Sequence, residues 1–465
     1  MTLTATAPPR RTRPPAPVPR DKPLGRLAFM AAVMSNPISA WTTAHFTKPI
    51  VSGVTVIGFG AVVSDPAGVR HILVDHAANY RKDRLQLRLL SPGLGNGLLT
   101  AQGEQWKTQR RAMAPLFTPR RVADFAGAMA EAADRVVRRW GRLREGRTAD
   151  IALDMARVTL DILERTIFTD GLARDPHAFA TAMTAYFNAF GRIDPLDLLQ
   201  APDWIPRLSR LRGRAPLKFF DEAVNEIIAK RRATMAQGGQ TPPRDLLTFL
   251  LEAADPETGK GLSEAEIKAN IITFVGAGHE TTANALTWSL FLISGAPDVR
   301  ARLEAEVDAL LPDGHCDAGA VDKLVAVRAV IDEALRLYPP AAIISREAIA
   351  EDEILGVKIP AGAIVYVAPY VLHRHRLLWD NPDYFEPWRF LPGAREKIDR
   401  FAYLPFGAGP RVCIGAAFAL QEAVIVLATI LRHYRLDLAP GHVVEPRQRI
   451  TLRPSGGMKM VIRGR

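Results

Sequence analysis

The ten residues FGAGPRVCIG, numbered 406–415, contain Cys413, one of only two cysteines among the 465 residues of this chain. Gly407 and Gly409 permit a tight turn and the close approach of a flat ligand. Beyond the cysteine, apolar residues recur at helical spacing, at Ala417, Leu420, Val424, Leu427 and Leu431. We therefore expect Cys413 to lie at the N-terminus of a helix.

A cysteine at a helix N-terminus is favoured as a thiolate, because the helix dipole and the unpaired backbone N–H groups attract negative charge. A thiolate can act as a nucleophile or as a metal ligand. A lone free cysteine is more commonly a small buried hydrophobe. The residues around Cys413 decide among these three roles.

Composition excludes several classes of protein. Two cysteines are too few for a disulfide framework, and an all-cysteine iron–sulfur cluster or zinc ribbon needs about four thiolates. Cys316 lies in the loop-like stretch LPDGHCDAG and is expected to be a surface thiol. The net charge of +11 suits nucleic acid, anionic lipid or an acidic protein. We expect no nucleic-acid binding, because no basic run with interleaved aromatic residues is present.

The N-terminal residues 1–24 are rich in proline and arginine, which predicts a disordered tail. The apolar run RLAFMAAVM that follows is too short to span a membrane, which takes about 20 apolar residues. No pattern of a signal peptide is present. We expect a single domain over residues 25–465, without a transmembrane anchor, in the reducing cytoplasm.

Helical periodicity dominates from about residue 103 to residue 340. Short strand-like runs occur at residues 51–64 and 354–369, and the chain closes on an extended segment at residues 450–462. The Gly/Pro-rich patch MAQGGQTPPRD is expected to be a loop between two helices. These patterns predict a mainly α domain with a minor β part.

One helix is predicted in detail. Ser263 and Glu266 form a capping box, and apolar residues continue to Ile293, with Gly295 as a stop. The result is a helix of about 30 residues, against a mean of about 11–12. Its middle reads FVGAGHETTAN, where each glycine costs about 1 kcal/mol relative to alanine. This irregularity indicates a functional site, and a close helix–helix crossing at the glycines is the alternative.

The residues around Cys413 complete a known pattern. Phe406, Gly409, Arg411, Cys413 and Gly415 match all fixed positions of Phe-x-x-Gly-x-Arg-x-Cys-x-Gly, so the chain resembles the cytochrome P-450 superfamily. The resemblance implies haem b (iron protoporphyrin IX) between the long central helix and the cysteine loop. It also implies that the Cys413 thiolate is the proximal ligand of the haem iron, favouring O–O cleavage.

The stretch AGHETT at residues 277–282 resembles the oxygen-activation motif of this family. The resemblance implies that Ala277 lies against the haem, that Thr281 supplies the alcohol and that Glu280 supplies the acid. Trp106 and Arg110 match Trp-x-x-x-Arg, a pair that the family uses on a haem propionate. The Trp106–Arg110 pair alone would be a weak signal. The motifs occur along the chain in the family's order, which strengthens the assignment.

Further residues are assigned from the resemblance or from their setting in the sequence. Arg346 and Arg411 are propionate candidates, because guanidinium groups suit carboxylates, and Phe406 is expected to contact the cofactor. The family-like stretches DEALRLYPP and FEPWRF imply a structural network of Glu333, Arg336 and Arg389. His373 and His375, in HRHRLLWD, are expected to be structural and not metal ligands.

The resemblance implies a haem-thiolate monooxygenase that activates O₂ with two externally supplied electrons. It hydroxylates or epoxidises a lipophilic substrate such as a fatty acid, terpenoid, carotenoid or steroid, and the apolar stretch 341–344 is expected near the haem. The implied electron donor is a ferredoxin or flavodoxin with its reductase. Such a donor is expected to dock on a basic proximal surface containing Lys107, Arg111, Arg374 and Arg376.

Two alternatives compete with this function. A peroxide-driven haem-thiolate peroxygenase would need no electron donor, but such enzymes usually lack the acid–alcohol pair that Glu280 and Thr281 form. A non-catalytic haem-binding sensor would not need AGHETT at all.

Overall fold

The computed structural model describes residues 12–55, 58–169, 194–198, 201–202, 204–205, 207–237 and 241–465. Within these residues, helices α1 to α16 are, in chain order, Arg26–Ser35, Pro66–Arg70, Arg84–Leu94, Gly103–Met113, Pro119–Ala123, Ala126–Gly141, Ile151–Ile167, Pro195–Leu198, Leu208–Ala236, Leu246–Glu252, Glu264–Ser294, Pro297–Leu310, Ala318–Val321, Val325–Leu337, Pro369–Leu372 and Ala416–His433. The mainly α class is confirmed. The patch MAQGGQTPPRD joins α9 to α10, as expected.

Strands β1 to β12 of the described residues are Ile50–Thr55, Gly58–Val63, Tyr80–Arg81, Thr148–Asp150, Ile344–Ala348, Asp352–Ile354, Val357–Ile359, Ile364–Val367, Tyr434–Leu438, Pro446–Gln448, Leu452–Pro454 and Lys459–Gly464. Five of them form a mixed sheet in the order β1-β2-β8-β5-β3, in which β2 and β8 run parallel. β4, β12 and β9 form a second, antiparallel sheet. The strand-like runs of the sequence therefore lie in the minor β part, as predicted.

Helix α11, the central helix, has 31 residues and begins and ends where the sequence predicts. The Ser263 side chain accepts the Glu266 N–H at 3.3 Å, and the Glu266 carboxylate accepts the Ser263 N–H at 3.0 Å. The helix packs against α7, α14 and α16. A Cβ added to Gly278 would lie 3.1 Å from Leu163 of α7, so this glycine serves a close helix crossing. The alternative reading of the glycines thus holds at Gly278.

A buried ionic network ties α14 to the chain that follows it. Arg336 donates two hydrogen bonds to the Glu333 carboxylate, of 2.6 and 2.8 Å, and both side chains are fully buried. Arg389 lies 3.3 Å from the same carboxylate. Arg336 also donates to the carbonyl oxygens of His373 and Pro382. The network is structural, as expected, because it joins three segments by charge-assisted hydrogen bonds.

The N-terminal tail and Cys316 differ from their expectations. Residues 12–20 lie along the body: the Thr12 carbonyl accepts the Phe385 N–H at 3.0 Å, and the Pro15 carbonyl accepts the Tyr338 hydroxyl at 2.7 Å. Residues 1–11 lie outside the described part. Cys316 is buried in the main core, so its assignment as a surface thiol is wrong. Its loop folds inward, where a free cysteine packs as a small hydrophobe and burial raises its pKa to about 12.

Helix α16, which follows the cysteine loop, is long and apolar enough to cross a membrane. However, 67% of this helix is buried inside the protein. A buried core helix can be as long and as apolar as a helix that crosses a membrane.

Candidate functional site

The cysteine loop, residues 406–415, is closed by its own backbone. The Cys413 N–H donates to the Phe406 carbonyl at 2.9 Å, and Gly415 caps α16. Gly409 has a φ of +72°, and a Cβ there would lie 1.7 Å from the carbonyl oxygen of Leu73. Only glycine fits at this point, so the loop is pressed against the single π-helical turn His71–Asp75.

The environment of Cys413 combines exposure with desolvation. Its side chain has exposed surface, yet burial raises the pKa of its thiol. We conclude that this surface opens into an internal recess and not onto the outside of the protein. The Gly415 N–H and the Arg110 charge oppose the rise in the thiol pKa without overcoming it. In the protein alone, burial thus acts on the Cys413 thiol against the helix N-terminus, which favours the thiolate.

The middle of the central helix contains an exposed position between buried ones. Ala277 is exposed, whereas Val275 and Thr282 on either side of it are buried. The Thr281 hydroxyl donates to the Ala277 carbonyl at 2.7 Å. That bond fixes the Thr281 oxygen and leaves its lone pairs available as acceptors. An exposed position in a helix that packs on three others indicates a recess beside AGHETT.

The acid of the motif is held by a partner that the sequence analysis did not identify. Glu280 Oε1 lies 3.2 Å from Nη1 of Arg453, on β11. Burial raises the pKa of the Glu280 carboxyl, and the Arg453 charge opposes that rise. Burial also lowers the pKa of the neighbouring His279 to about 4, so this imidazole is neutral at pH 7.

A cluster of cations lies close to the loop. Lys82 is 6% exposed, and burial together with the charges of Arg346 and Arg411 lowers its pKa to about 7. Burial and the Arg346 charge lower the pKa of Arg411 to about 10. Asp83 is the acidic neighbour of the cluster, and it is already used to accept the Ser345 hydroxyl and to cap α3. Asp83 is the one carboxylate whose charge is seen to act on these three cations, so among the described residues the cluster has an excess of positive charge.

The residues expected to bind the propionates lie in two different places. The Arg411 guanidinium lies over the Trp106 ring at 4.3 Å from its centre, which joins Trp106 to the cation cluster. Arg110, by contrast, interacts with the charge of Cys413. Lys82 was missed, because a single lysine ahead of a helix N-cap gives no recognisable signal in the sequence.

These residues fit a haem group. A metal that takes one sulfur ligand would use Cys413, and two propionates would balance Lys82, Arg346 and Arg411. Gly409, within the loop, has no side chain, so the loop backbone can pack directly against the backbone of Leu73. The donor set and the unbalanced charge thus point to the same cofactor.

The histidines of HRHRLLWD are structural, as expected. His373 is fully buried and accepts the Leu404 N–H at 2.8 Å, and its pKa is lowered to about 3, mainly by burial. His375 bonds the Lys48 carbonyl at 3.1 Å.

The expected docking surface is not confirmed. Arg374 is buried, with its guanidinium 4.2 Å from the centre of the Tyr370 ring. The other three cations pair with carboxylates: Lys107 with Glu104, Arg111 with Asp255, and Arg376 with Asp383. Burial removes Arg374 from the surface, and carboxylate partners offset the other three charges, although the Lys107 side chain stays 54% exposed.

Glu422 is a second residue that the sequence analysis missed. It lies on α16, is 1% exposed, and burial raises its pKa well above the usual value. The hydroxyl of Thr282, the residue after Thr281, opposes that rise. Neither Glu422 Oε1 nor Thr282 Oγ1 has a well-formed hydrogen bond within the described residues. A buried carboxyl with a raised pKa thus faces the central helix from the helix that follows Cys413.

Replacing Glu422→Gln should make stability at neutral pH higher and less dependent on pH. The unfolded carboxyl has a pKa near ~4.3, and the folded one is higher, so folding takes up a proton at neutral pH. The wild-type protein loses about 1.4 kcal/mol per pH unit between those two pKa values. Thermal unfolding of the haem-loaded protein from pH 5 to pH 8 should show the gap to E422Q widening with pH.

Glu145→Gln, in an exposed loop, is the matched control and should give a constant gap. A constant gap for E422Q as well would contradict a neutral Glu422.

Comparison with known proteins agrees with the site. The chain is 34% identical to cyclooctatin synthase of Streptomyces melanosporofaciens over 80% of its length and 79% of the relative. It is 31% identical to cyclooctat-9-en-7-ol 5-monooxygenase of the same organism, over 88% and 89% of the two chains.

The fold has a close counterpart among solved structures. The haem domain of cytochrome P450DA superposes with a TM-score of 0.84 and 28% identity, covering 97% of this chain and 98% of that domain. The profile of the cytochrome P450 family matches residues 60–460. This chain therefore belongs to the cytochrome P450 family, and it is a monooxygenase with a haem cofactor.

Proposed function

We propose that this chain binds haem b through Cys413 and oxygenates a lipophilic substrate in the recess beside AGHETT. The carrying observation is the exposed Cys413 sulfur in a loop whose Arg411 belongs to the cation cluster and whose following helix, α16, packs on the central helix that carries the exposed Ala277. A cytoplasmic location for the domain over residues 25–465 is part of the proposal. Both cysteines are free thiols, which suits a reducing compartment.

The side chains have distinct roles in this proposal. When bound, haem supplies a thiolate-ligated iron that activates O₂ with two electrons. Cys413 provides the sulfur ligand, and Gly415 and Arg110 stabilise its negative charge. Lys82, Arg346 and Arg411 neutralise the propionates, with Trp106 stacked on Arg411 and Phe406 and Ala277 bordering the haem.

Thr281 and Glu280 manage protons. The Thr281 oxygen, fixed by its bond to the Ala277 carbonyl, accepts a hydrogen bond from a water in the recess. Glu280 is held by Arg453 at the edge of the β part, where it passes protons inward from solvent. The presence of this pair favours a monooxygenase over a peroxygenase or a sensor.

We propose a terpenoid as the substrate class. The stretch 341–344 follows the buried end of α14 and is apolar, with Ala341 exposed and Ile343 half-buried. The Ile344 Cδ1 atom lies near the cysteine loop, 3.6 Å from where a Cβ on Gly407 would be. One relative is named for its action on cyclooctat-9-en-7-ol, a lipophilic alcohol. An apolar wall beside the loop suits such a molecule.

An acidic ferredoxin or flavodoxin, with its reductase, is the proposed electron donor. A groove of about 760 Å³ is lined by Arg120, Arg121 and Arg244, with Asp124 as its acidic residue. Helix α5, which carries two of these arginines, packs on α16: the Gln421 amide donates to the Val122 carbonyl at 2.8 Å. The groove therefore lies on the side of the helix that follows Cys413, and it replaces the docking surface expected from the sequence.

Thr281→Ala should uncouple electron use from oxygenation. We expect haem content, the red-shifted Soret band of the reduced CO complex, and substrate-induced spin shifts to persist. Product per electron pair should fall by about tenfold, with release of hydrogen peroxide, because a positioned proton-transfer group is lost.

Thr287→Ala is the matched control, since Thr287 makes the same bond to the carbonyl four residues earlier, at 2.7 Å. Wild-type coupling in T281A would refute the role of Thr281, and a CO complex without the red shift would refute Cys413 as the ligand.

A titration of substrates should separate the four lipophilic classes. We expect cyclic terpenoid alcohols to shift the haem spin state with affinities at least about tenfold tighter than those of fatty acids, carotenoids or steroids, a difference of about 1.4 kcal/mol. Mass spectrometry should then show one added oxygen atom. A stronger response to another class would overturn the terpenoid proposal and leave the haem assignment intact.

Reversing the charge of the groove should slow reduction by an acidic ferredoxin. The double variant Arg120→Glu/Arg121→Glu is expected to lower the second-order rate constant by at least about tenfold at low salt, because electrostatic steering is worth 10–10³-fold. The difference should shrink as ionic strength rises.

The control Lys22→Glu/Arg26→Glu makes the same change of charge at exposed positions near α1. Equal rates in the two double variants would contradict docking at the groove.

A further inference from the structure

A second group of metal-binding side chains lies outside the haem site. His71 Nε2 is 2.9 Å from Asp352 Oδ2, and His76 Nδ1 is 3.9 Å from Asp352 Oδ1. One potential ligand atom from each of the three residues lies within 4.8 Å of the others. The histidines come from the π-helical turn and its end, and the aspartate begins β6, so three atoms meet from segments about 280 residues apart.

The ligand set and its spacing suit Zn²⁺. Imidazole nitrogen and carboxylate oxygen bind zinc at about 2.0–2.2 Å, which places tetrahedral ligands about 3.3 Å apart. His71 lies 2.9 Å from Oδ2 and His76 lies 3.9 Å from Oδ1, so each imidazole faces one of the two oxygens of the Asp352 carboxylate. Three protein ligands leave a fourth position for water.

The carboxylate already has the outer support typical of a metal ligand. The Tyr80 hydroxyl donates to Asp352 Oδ2 at 2.6 Å, and the Glu353 N–H donates to Oδ1 at 2.8 Å. Tyr80 is buried and lies on β3, so it holds the carboxylate in one orientation. Such second-shell hydrogen bonds orient ligands and raise metal affinity.

The two histidine rings must separate to admit an ion. The rings of His71 and His76 stack with their centres 3.9 Å apart. Bound imidazoles radiate from a metal, so the stack must open. The His76 side chain is 52% exposed and can turn outward. The neighbouring cation Arg70 directs its guanidinium to Asp75, at 3.2 Å, and not into the site.

We propose that His71, His76 and Asp352 bind one Zn²⁺ ion at a structural site separate from the haem. The ion cross-links the turn His71–Asp75 to the β6–β7 hairpin. The same turn supports the cysteine loop, because the Leu73 carbonyl packs against Gly409. Zinc therefore stabilises the segment on which the loop of Cys413 rests.

The test uses the full, haem-loaded chain, stripped of other metals with a chelator that is then removed. Isothermal titration with ZnCl₂ should show one site that His76→Ala and Asp352→Asn weaken by more than about tenfold, because loss of a group that merely orients a ligand already costs about that much. Tyr80→Phe should weaken it less than either. His315→Ala, which removes an exposed histidine elsewhere, should leave it unchanged.

Thermal unfolding supplies the second readout, because a ligand that binds only the folded state raises the melting temperature. Zn²⁺ should raise it in the wild type and in H315A but not in H76A, with an unchanged Soret band. Equal Zn²⁺ affinity in H76A and the wild type, or no binding by the wild type, would overturn the proposal. If D352N fails to fold, the H76A variant decides the test alone, because the His76 side chain that it removes is half exposed.

Discussion

The placement of Cys413 depends on a contact between two stretches of backbone. The Leu73 carbonyl lies where any side chain on Gly409 would have to be, so the cysteine loop can pack on the turn His71–Asp75 only through glycine. The hydrogen bond from Cys413 to Phe406 then closes the loop, and α16 continues from it. The position of the Cys413 sulfur depends on these two contacts of the loop.

Charge is distributed differently on the two sides of the core. Around Glu333 the arginines and the carboxylate balance each other, and the network joins three segments of chain. Around Lys82 the cations outnumber the carboxylates, and burial lowers their pKa values. A buried excess of one charge costs stability unless a ligand supplies the opposite charge. The first cluster is therefore structural, and the second has the charge that the proposed binding of the haem propionates requires.

The central helix joins the two faces of the site. Gly278 lets it cross α7 closely, while the buried Glu422, whose pKa burial raises, approaches it from α16 beside Thr282. Thr281 and Glu280 are thus set between a helix crossing and the β11 residue Arg453. Their geometry is imposed from three elements at once, which suits the proton-transfer role proposed for them.

The sequence by itself determined the features that are local in the chain. Residues within one turn or one helix predict the capping box at Ser263, the loop pattern around Cys413, the AGHETT stretch and the mainly α class. Only the tertiary structure decided which charges meet. Arg111 pairs with Asp255, Glu280 with Arg453, and Arg374 enters the core. Lys82, Glu422 and Cys316 likewise acquired their roles through burial, which depends on contacts between residues distant in sequence and leaves no periodic trace in the chain.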